Sequence, residues 1–123
     1  MIKLDELEVY KSAVDIANEA WHCVNRWHYF HKDTLGRQLT KAADSIALNI
    51  SEGYGRYSYK ENRNFCYYAR GSAYETMTAL KLAHDRALIS TEERDAFRLK
   101  FEHFLRVLHP YIRSIGTSRA GDQ

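Results

Sequence analysis

Three groups of side chains have types and spacing that could do chemistry. The first, Glu19-Ala20-Trp21-His22, is a Glu-x-x-His element. On a helix it sets a carboxylate and an imidazole one turn apart, the unit from which bundles build di-metal sites. Such a site needs a second copy and inward glutamates on the facing helices, and the sequence holds one copy. Against an apolar stripe running Tyr10, Val14, Ala17, Trp21, Val24 and His28, both Glu19 and His22 turn away from the core, so no metal site is expected. The second group is Asn49 and Glu52, an amide and a carboxylate just before Gly53. They lack the nucleophile or second acid that general acid–base chemistry uses. Hydrogen bonds to the amides of the loop before Ser58 would account for both, with Gly53 at a helix terminus of positive φ. No catalytic residue is expected.

The third group is the strongest. Lys60, Arg63, Tyr67, Arg70, Tyr74 and Lys81 recur in steps of three, four and seven, and Arg56 stands just before them. Cations at this spacing could follow a phosphate backbone while tyrosines stack on bases, so the set forms a candidate nucleic-acid-binding face. Tyrosine and arginine are also enriched at protein interfaces, so a subunit contact or a solvated face accounts for the same residues. The remaining histidines, His28, His31, His84, His103 and His109, show no ligand spacing. Gly53-Tyr54-Gly55 lacks the preceding strand and third glycine of a phosphate loop, and no cofactor is expected.

These groups need helices to position them. The first stripe predicts a helix over 5–29. Asp33 and Thr34 can cap a second, whose stripe Leu35, Leu39, Ala42, Ile46 and Ile50 runs to Gly53, giving 34–53. Ser58-Tyr59-Lys60-Glu61 is a capping box that opens a third over 59–87. Its inward side, Phe65, Ala69, Ser72, Thr76, Ala79, Ala83 and Ala87, is mostly small, and Gly71 fits the same crowded surface. A second box, Ser90-Thr91-Glu92-Glu93, opens the fourth over 91–115, with the stripe Phe97, Phe101, Phe104, Leu108, Tyr111 and Ile115 and a bend expected at Pro110. Residues 117–123 read as a flexible tail. Short connections and the absence of any alternating strand pattern predict an all-α fold, an antiparallel up-down-up-down four-helix bundle occupying 1–116 as one domain.

Composition narrows the function classes. A net charge of +2 is too small to announce a nucleic-acid binder by itself, since local density decides phosphate affinity. Cys23 and Cys66 stand far apart without the paired spacing of a zinc site or a disulfide framework, so both read as reduced, packed thiols. An N-terminus that turns acidic within five residues, and the lack of a long uncharged apolar run, make the cytoplasm the expected location. Sixteen aromatic residues are more than one small bundle hides. The crowded Trp27, Tyr29 and Phe30 therefore offer a second candidate subunit contact.

The run Asn49-Ile50-Ser51-Glu52-Gly53-Tyr54-Gly55-Arg56-Tyr57-Ser58-Tyr59-Lys60-Glu61 resembles that of the bacterial 23S rRNA-intervening sequence proteins. Leu7-Glu8-Val9-Tyr10, Leu39, Ala42, Ala43, Ser45 and Ile46 upstream, and Ala69, Gly71, Ser72, Glu75 and Leu88-Ile89-Ser90 downstream, extend the likeness over most of the chain. Ala47 stands where a proline is common, and Asn62 where an apolar residue often follows the glutamate. The resemblance implies a four-helix bundle that assembles as a homopentamer. It makes Asn49, Glu52, Gly53, Ser58, Glu61 and Gly71 structural motif residues. Among similar proteins, the accessory proteins of diversity-generating retroelements bind nucleic acid and a reverse transcriptase. The expectation is a non-enzymatic homo-oligomeric scaffold, with RNA, DNA or a nucleic-acid-handling protein as the partner beyond itself and no membrane. The alternative is a pure protein-interaction module in which the basic and aromatic face makes the contacts.

Overall fold

The computed structural model describes residues 2–116, so the 117–123 tail lies outside the described residues. Every regular element among them is helical. A 3-10 turn (Leu4–Glu6) leads into α1 (Glu8–Asn25). Short α2 (Tyr29–His31) and a π-helical turn (Lys32–Gly36) run directly into α3 (Arg37–Tyr54), followed by α4 (Tyr59–Asp85) and α5 (Thr91–Ser114). Four of these, α1, α3, α4 and α5, are long, and their apolar faces share one core.

Val24 of the expected stripe is buried on α1, but the main buried face is Val9, Ala13, Ile16, Ala20 and Cys23, in steps of four and three, and it continues to Trp27 just beyond the helix. That is one residue out of phase with the stripe the sequence suggested. Trp21 is 57% exposed and Trp27 is 8% exposed. Both phases fit the helical period. The observed one wins because it buries Val9, Ile16 and Cys23 at the expense of a single polar residue, Ser12.

The expected break at Asp33 and Thr34 is absent. His28 caps instead, its Nδ1 accepting from the Phe30 amide at 3.4 Å. Thr34 Oγ1 donates back to the Phe30 carbonyl at 2.8 Å, and Asp33 pairs with Arg37, so both residues sit inside a continuous helical path. The π-helical turn absorbs the extra residue that would otherwise have required a break. On leaving it the chain passes close to α1, where a Cβ on Gly36 would lie 2.7 Å from Val24 Cγ1.

From Leu35 onward the second stripe is as expected, with Leu39, Ala42, Ile46 and Ile50 all buried. On α4 the core residues are Cys66, Ala69, Ala73, Thr76, Ala79, Leu80 and Ala83. Phe65 and Ser72 are half-buried at its edge, and Ala87 is exposed. Ala87 lies beyond the helix at φ 61°, and the Leu88 amide reaches the Ala83 carbonyl at 2.8 Å while the Ala87 amide reaches that of His84 at 3.0 Å. This is a Schellman termination with alanine in the left-handed position that glycine usually fills. Helix α5 begins with the full capping box, the Ser90 hydroxyl accepting from the Glu93 amide at 3.0 Å and the Ser90 amide donating to Glu93 at 2.9 Å. It continues through Pro110 to Ser114.

Side-chain size sets the spacing between helices. α3 and α4 meet through small residues, and the Ser72 hydroxyl bonds that of Ser45 at 3.1 Å. α5 presents Phe97, Phe101 and Phe104, which hold it farther from its neighbours. It is tied to α1 by Arg26–Glu93 at 2.5 Å, Asp15–Lys100 at 2.6 Å and Glu8–His103 at 3.6 Å. No described helix is long and apolar enough to cross a membrane.

Candidate interaction face

Helix α4 carries the candidate face because only one side of its 27 residues is needed for the core. Lys60, Tyr67, Arg70, Tyr74 and Lys81 are all exposed, and Arg63 is half-buried. At 100° per residue the six occupy one flank of the helix. Its direction is given by Arg63, whose Nη1 donates to the Ile115 carbonyl at the end of α5 at 3.0 Å.

Arg56 is not part of this face. Its guanidinium bonds Glu52 at 3.0 Å and Glu61 at 3.1 Å and lies 4.8 Å from the centre of the Phe65 ring, on the flank of α4 that meets α3. It stands just before the stripe in the sequence, but the chain between it and Lys60 is a turn, where helical spacing carries no direction. The cations that remain are unequal. Lys81 is paired with Asp85 at 3.1 Å, and Arg63 serves the α5 terminus. Arg70 rests 5.3 Å from the centre of the Tyr74 ring, which leaves its charge open to a partner.

The motif residues before α4 do structural work, by different contacts from those expected. Asn49 Nδ2 donates to the Ser45 carbonyl at 2.9 Å and to the Ser45 hydroxyl at 3.1 Å, within its own helix and not to loop amides. Glu52 and Glu61 clamp Arg56 across the turn. The Ser58 hydroxyl accepts from the Glu61 amide at 3.2 Å, so the first half of that capping box forms while the Glu61 carboxylate is spent on Arg56. Gly53 is inside α3 rather than at a positive-φ terminus. Its role is clearance: a Cβ there would lie 2.7 Å from Asn62 Oδ1, 2.8 Å from Phe65 Cβ and 3.0 Å from the Asn62 carbonyl. Asn62, the polar departure, fits that junction, its Oδ1 also accepting from the Cys66 thiol at 3.9 Å.

Gly71 is likewise reassigned. It is exposed, and a Cβ there would meet nothing within 4 Å. Around it on the outer surface lie Tyr67 at 54% exposure, Tyr68 at 57% and Tyr74 at 45%. Tyr68, and the exposed Leu48 on α3, were missed in the sequence. The legible signal was Leu48 itself, a large apolar residue on the polar side between Asp44 and Glu52.

Glu19 and His22 are both exposed, and no group of three metal-ligating side chains forms among the described residues. Burial pushes the Cys23 thiol up to about 11 and the Cys66 thiol up to about 12, the protonated and unreactive form at neutral pH. Both cysteines are free and buried. Tyr29 and Phe30 are exposed beyond α1, whereas Trp27, grouped with them, is in the core.

The family model for the 23S rRNA-intervening sequence protein matches residues 5–110. No curated protein matches the chain.

Proposed function

The chain belongs to the 23S rRNA-intervening sequence protein family, and on that premise we propose that it is a non-enzymatic scaffold that assembles with copies of itself through the tyrosine surface of α4. The carrying observation is the set Tyr67, Tyr68 and Tyr74 around an unobstructed Gly71. A glycine in mid-helix costs about 1 kcal/mol relative to alanine, and the fold gets no clearance in return at this position. A partner helix crossing at Gly71 would use that clearance. Three half-exposed tyrosines offer roughly 300 Å² of amphipathic surface, a sizeable share of the roughly 800 Å² each partner contributes to a stable interface.

The underlying architecture in this proposal is an antiparallel up-down-up-down bundle. It is supported by the ties from α1 to α5, in which Glu8, Asp15 and Arg26 meet His103, Lys100 and Glu93 in descending order. The assembly is the homopentamer that the family resemblance implies, and the location is cytoplasmic. Absence of catalysis is supported by Asn49 and Glu52, whose polar groups are committed to Ser45 and Arg56 and do not converge on a common point. Light scattering on wild type and on the Tyr67→Glu, Tyr74→Glu double variant tests the proposal. A wild-type oligomer that falls to monomer with helical content unchanged supports it; a variant of wild-type mass overturns it.

A second reading, nucleic-acid binding, is favoured by one observation: Lys60 and Arg70 are exposed, without an acidic partner among the described residues, beside Tyr67 and Tyr74. Repeated around a ring, these charges would form a multivalent surface. A wild-type particle that gains mass with RNA or DNA at low salt, and loses that gain in Lys60→Glu, Arg70→Glu, would establish it.

A further inference from the structure

The phenylalanines that hold α5 away from α4 leave a groove between the two helices. It has a volume of about 410 Å³, within the range of small-ligand sites. Its floor is apolar, made of Leu80, Phe97 and Phe101, each less than a tenth exposed, with the half-buried Met77 along one wall. A thioether wall of this kind adapts readily to the shape of an occupant.

The mouth is cationic. Lys81 comes from α4, and Arg94 and Arg98 from α5. Lys81 is neutralised by Asp85, whose two oxygens lie 3.1 and 3.3 Å from its Nζ. Both guanidiniums share one carboxylate: a single oxygen of Asp95 takes Arg94 Nε at 3.3 Å, Arg94 Nη2 at 3.2 Å and Arg98 Nη2 at 3.3 Å. Three permanent cations therefore face two carboxylates, and most of the five donors on each arginine are unused by Asp95. His84 stands at the same end of the groove, its Nε2 3.1 Å from the Thr91 hydroxyl.

We propose that this groove binds a small amphipathic monoanion, its apolar body on Leu80, Phe97 and Phe101 and its carboxylate or similar head group on Arg94 and Arg98. The apolar floor requires a hydrocarbon body, and the single uncompensated guanidinium requires one negative charge. Bidentate geometry favours a planar oxyanion such as a carboxylate. The site is independent of the scaffold reading, since none of these residues belongs to the tyrosine surface around Gly71.

Octanoate, with ten heavy atoms, is the probe, and 1-octanol is its neutral counterpart. Titrated into the ¹⁵N-labelled full chain, octanoate should shift the amides of Leu80, Lys81, Phe97 and Arg98 saturably, with a Kd of about 1 mM. Octanol should bind about tenfold more weakly, and so should octanoate to Arg94→Ala, Arg98→Ala. Met77→Trp, a change at a half-buried wall position, should fill the groove and abolish the shifts. If the double arginine variant fails to fold, the octanol comparison reads the charge requirement and Met77→Trp reads the location. Absence of saturable shifts, equal binding of octanol, or unchanged binding to Met77→Trp would each overturn the proposal.

Discussion

Two glycines in helical interiors should respond to alanine in opposite directions. In Gly71→Ala the new methyl meets open space, so only backbone propensity changes, and the monomer should gain about 1 kcal/mol. In Gly53→Ala the same propensity gain is offset by three contacts at 3.0 Å or less. The Phe65 Cβ and the Asn62 carbonyl cannot swing aside as the end of a long side chain could. Overpacking of this kind costs about 1–3 kcal/mol, and the upper end applies where backbone must move, giving a net loss of about 2 kcal/mol. The variants should therefore differ by about 3 kcal/mol, or on the order of 10 °C in melting temperature for a chain of this size. Urea unfolding followed by circular dichroism at low protein concentration measures the difference, with unchanged m-values certifying that the denatured state is the same. Low concentration matters because assembly would add its own stabilisation. If Gly53→Ala proved as stabilising as Gly71→Ala, the close approach of α3 and α4 would be refuted. At high concentration the order of effects on assembly should invert the gain: Gly71→Ala stabilises the monomer while lowering the oligomer mass, because the methyl occupies the clearance a partner uses.

Three further outcomes are expected. Ala87→Gly should raise stability by about 1 kcal/mol in urea unfolding, since it removes the left-handed strain at φ 61° while preserving the Schellman bonds. The Glu93 carboxyl is held below the usual glutamate range, first by the hydrogen bond from the Ser90 amide and then by Arg26. Its folded pKa is depressed, so its contribution is present above the unfolded value and lost as pH falls through the folded one; Glu93→Gln should flatten the acid limb of the stability–pH curve below about pH 4.3 and leave its slope at neutral pH unchanged. Ellman's reagent at pH 8 should leave both thiols of the native chain unmodified and label two per chain in denaturant, because burial raises Cys23 to about 11 and Cys66 to about 12.

The fold was legible where the apolar residues admit one phase and ambiguous where they admit two. On α3 and the turn leading into it the set Leu35, Leu39, Ala42, Ile46 and Ile50 has no competitor, and all five are buried. On α1 a shift of one residue rotates the stripe by 100° and still finds apolar residues, so Trp21 was read as core when Trp27 holds that place. The smaller Ala13, Ala20 and Cys23 fill the interior beside it. The π-helical turn was illegible for a different reason. Asp33 and Thr34 are good capping residues, and nothing local distinguishes a cap from a side chain that bonds back along a continuous helix, as Thr34 does to Phe30.

The interaction face shows the same division at the level of chemistry. Periodicity placed Lys60, Arg63, Tyr67, Arg70, Tyr74 and Lys81 on one flank, because direction on a helix follows from spacing alone. What each charge is free to do depends on groups distant in sequence or one turn away in space: Ile115 for Arg63, Asp85 for Lys81, Glu52 and Glu61 for Arg56. Once these are satisfied, what this side of α4 leaves exposed is less a row of free cations than a cluster of tyrosines with Gly71 at its centre. That shift in balance moves the functional reading from phosphate toward protein. It also explains why a basic and aromatic pattern is weak evidence for nucleic acid on a chain of net charge +2, where about half of the cations among the described residues have a carboxylate or carbonyl of their own within reach.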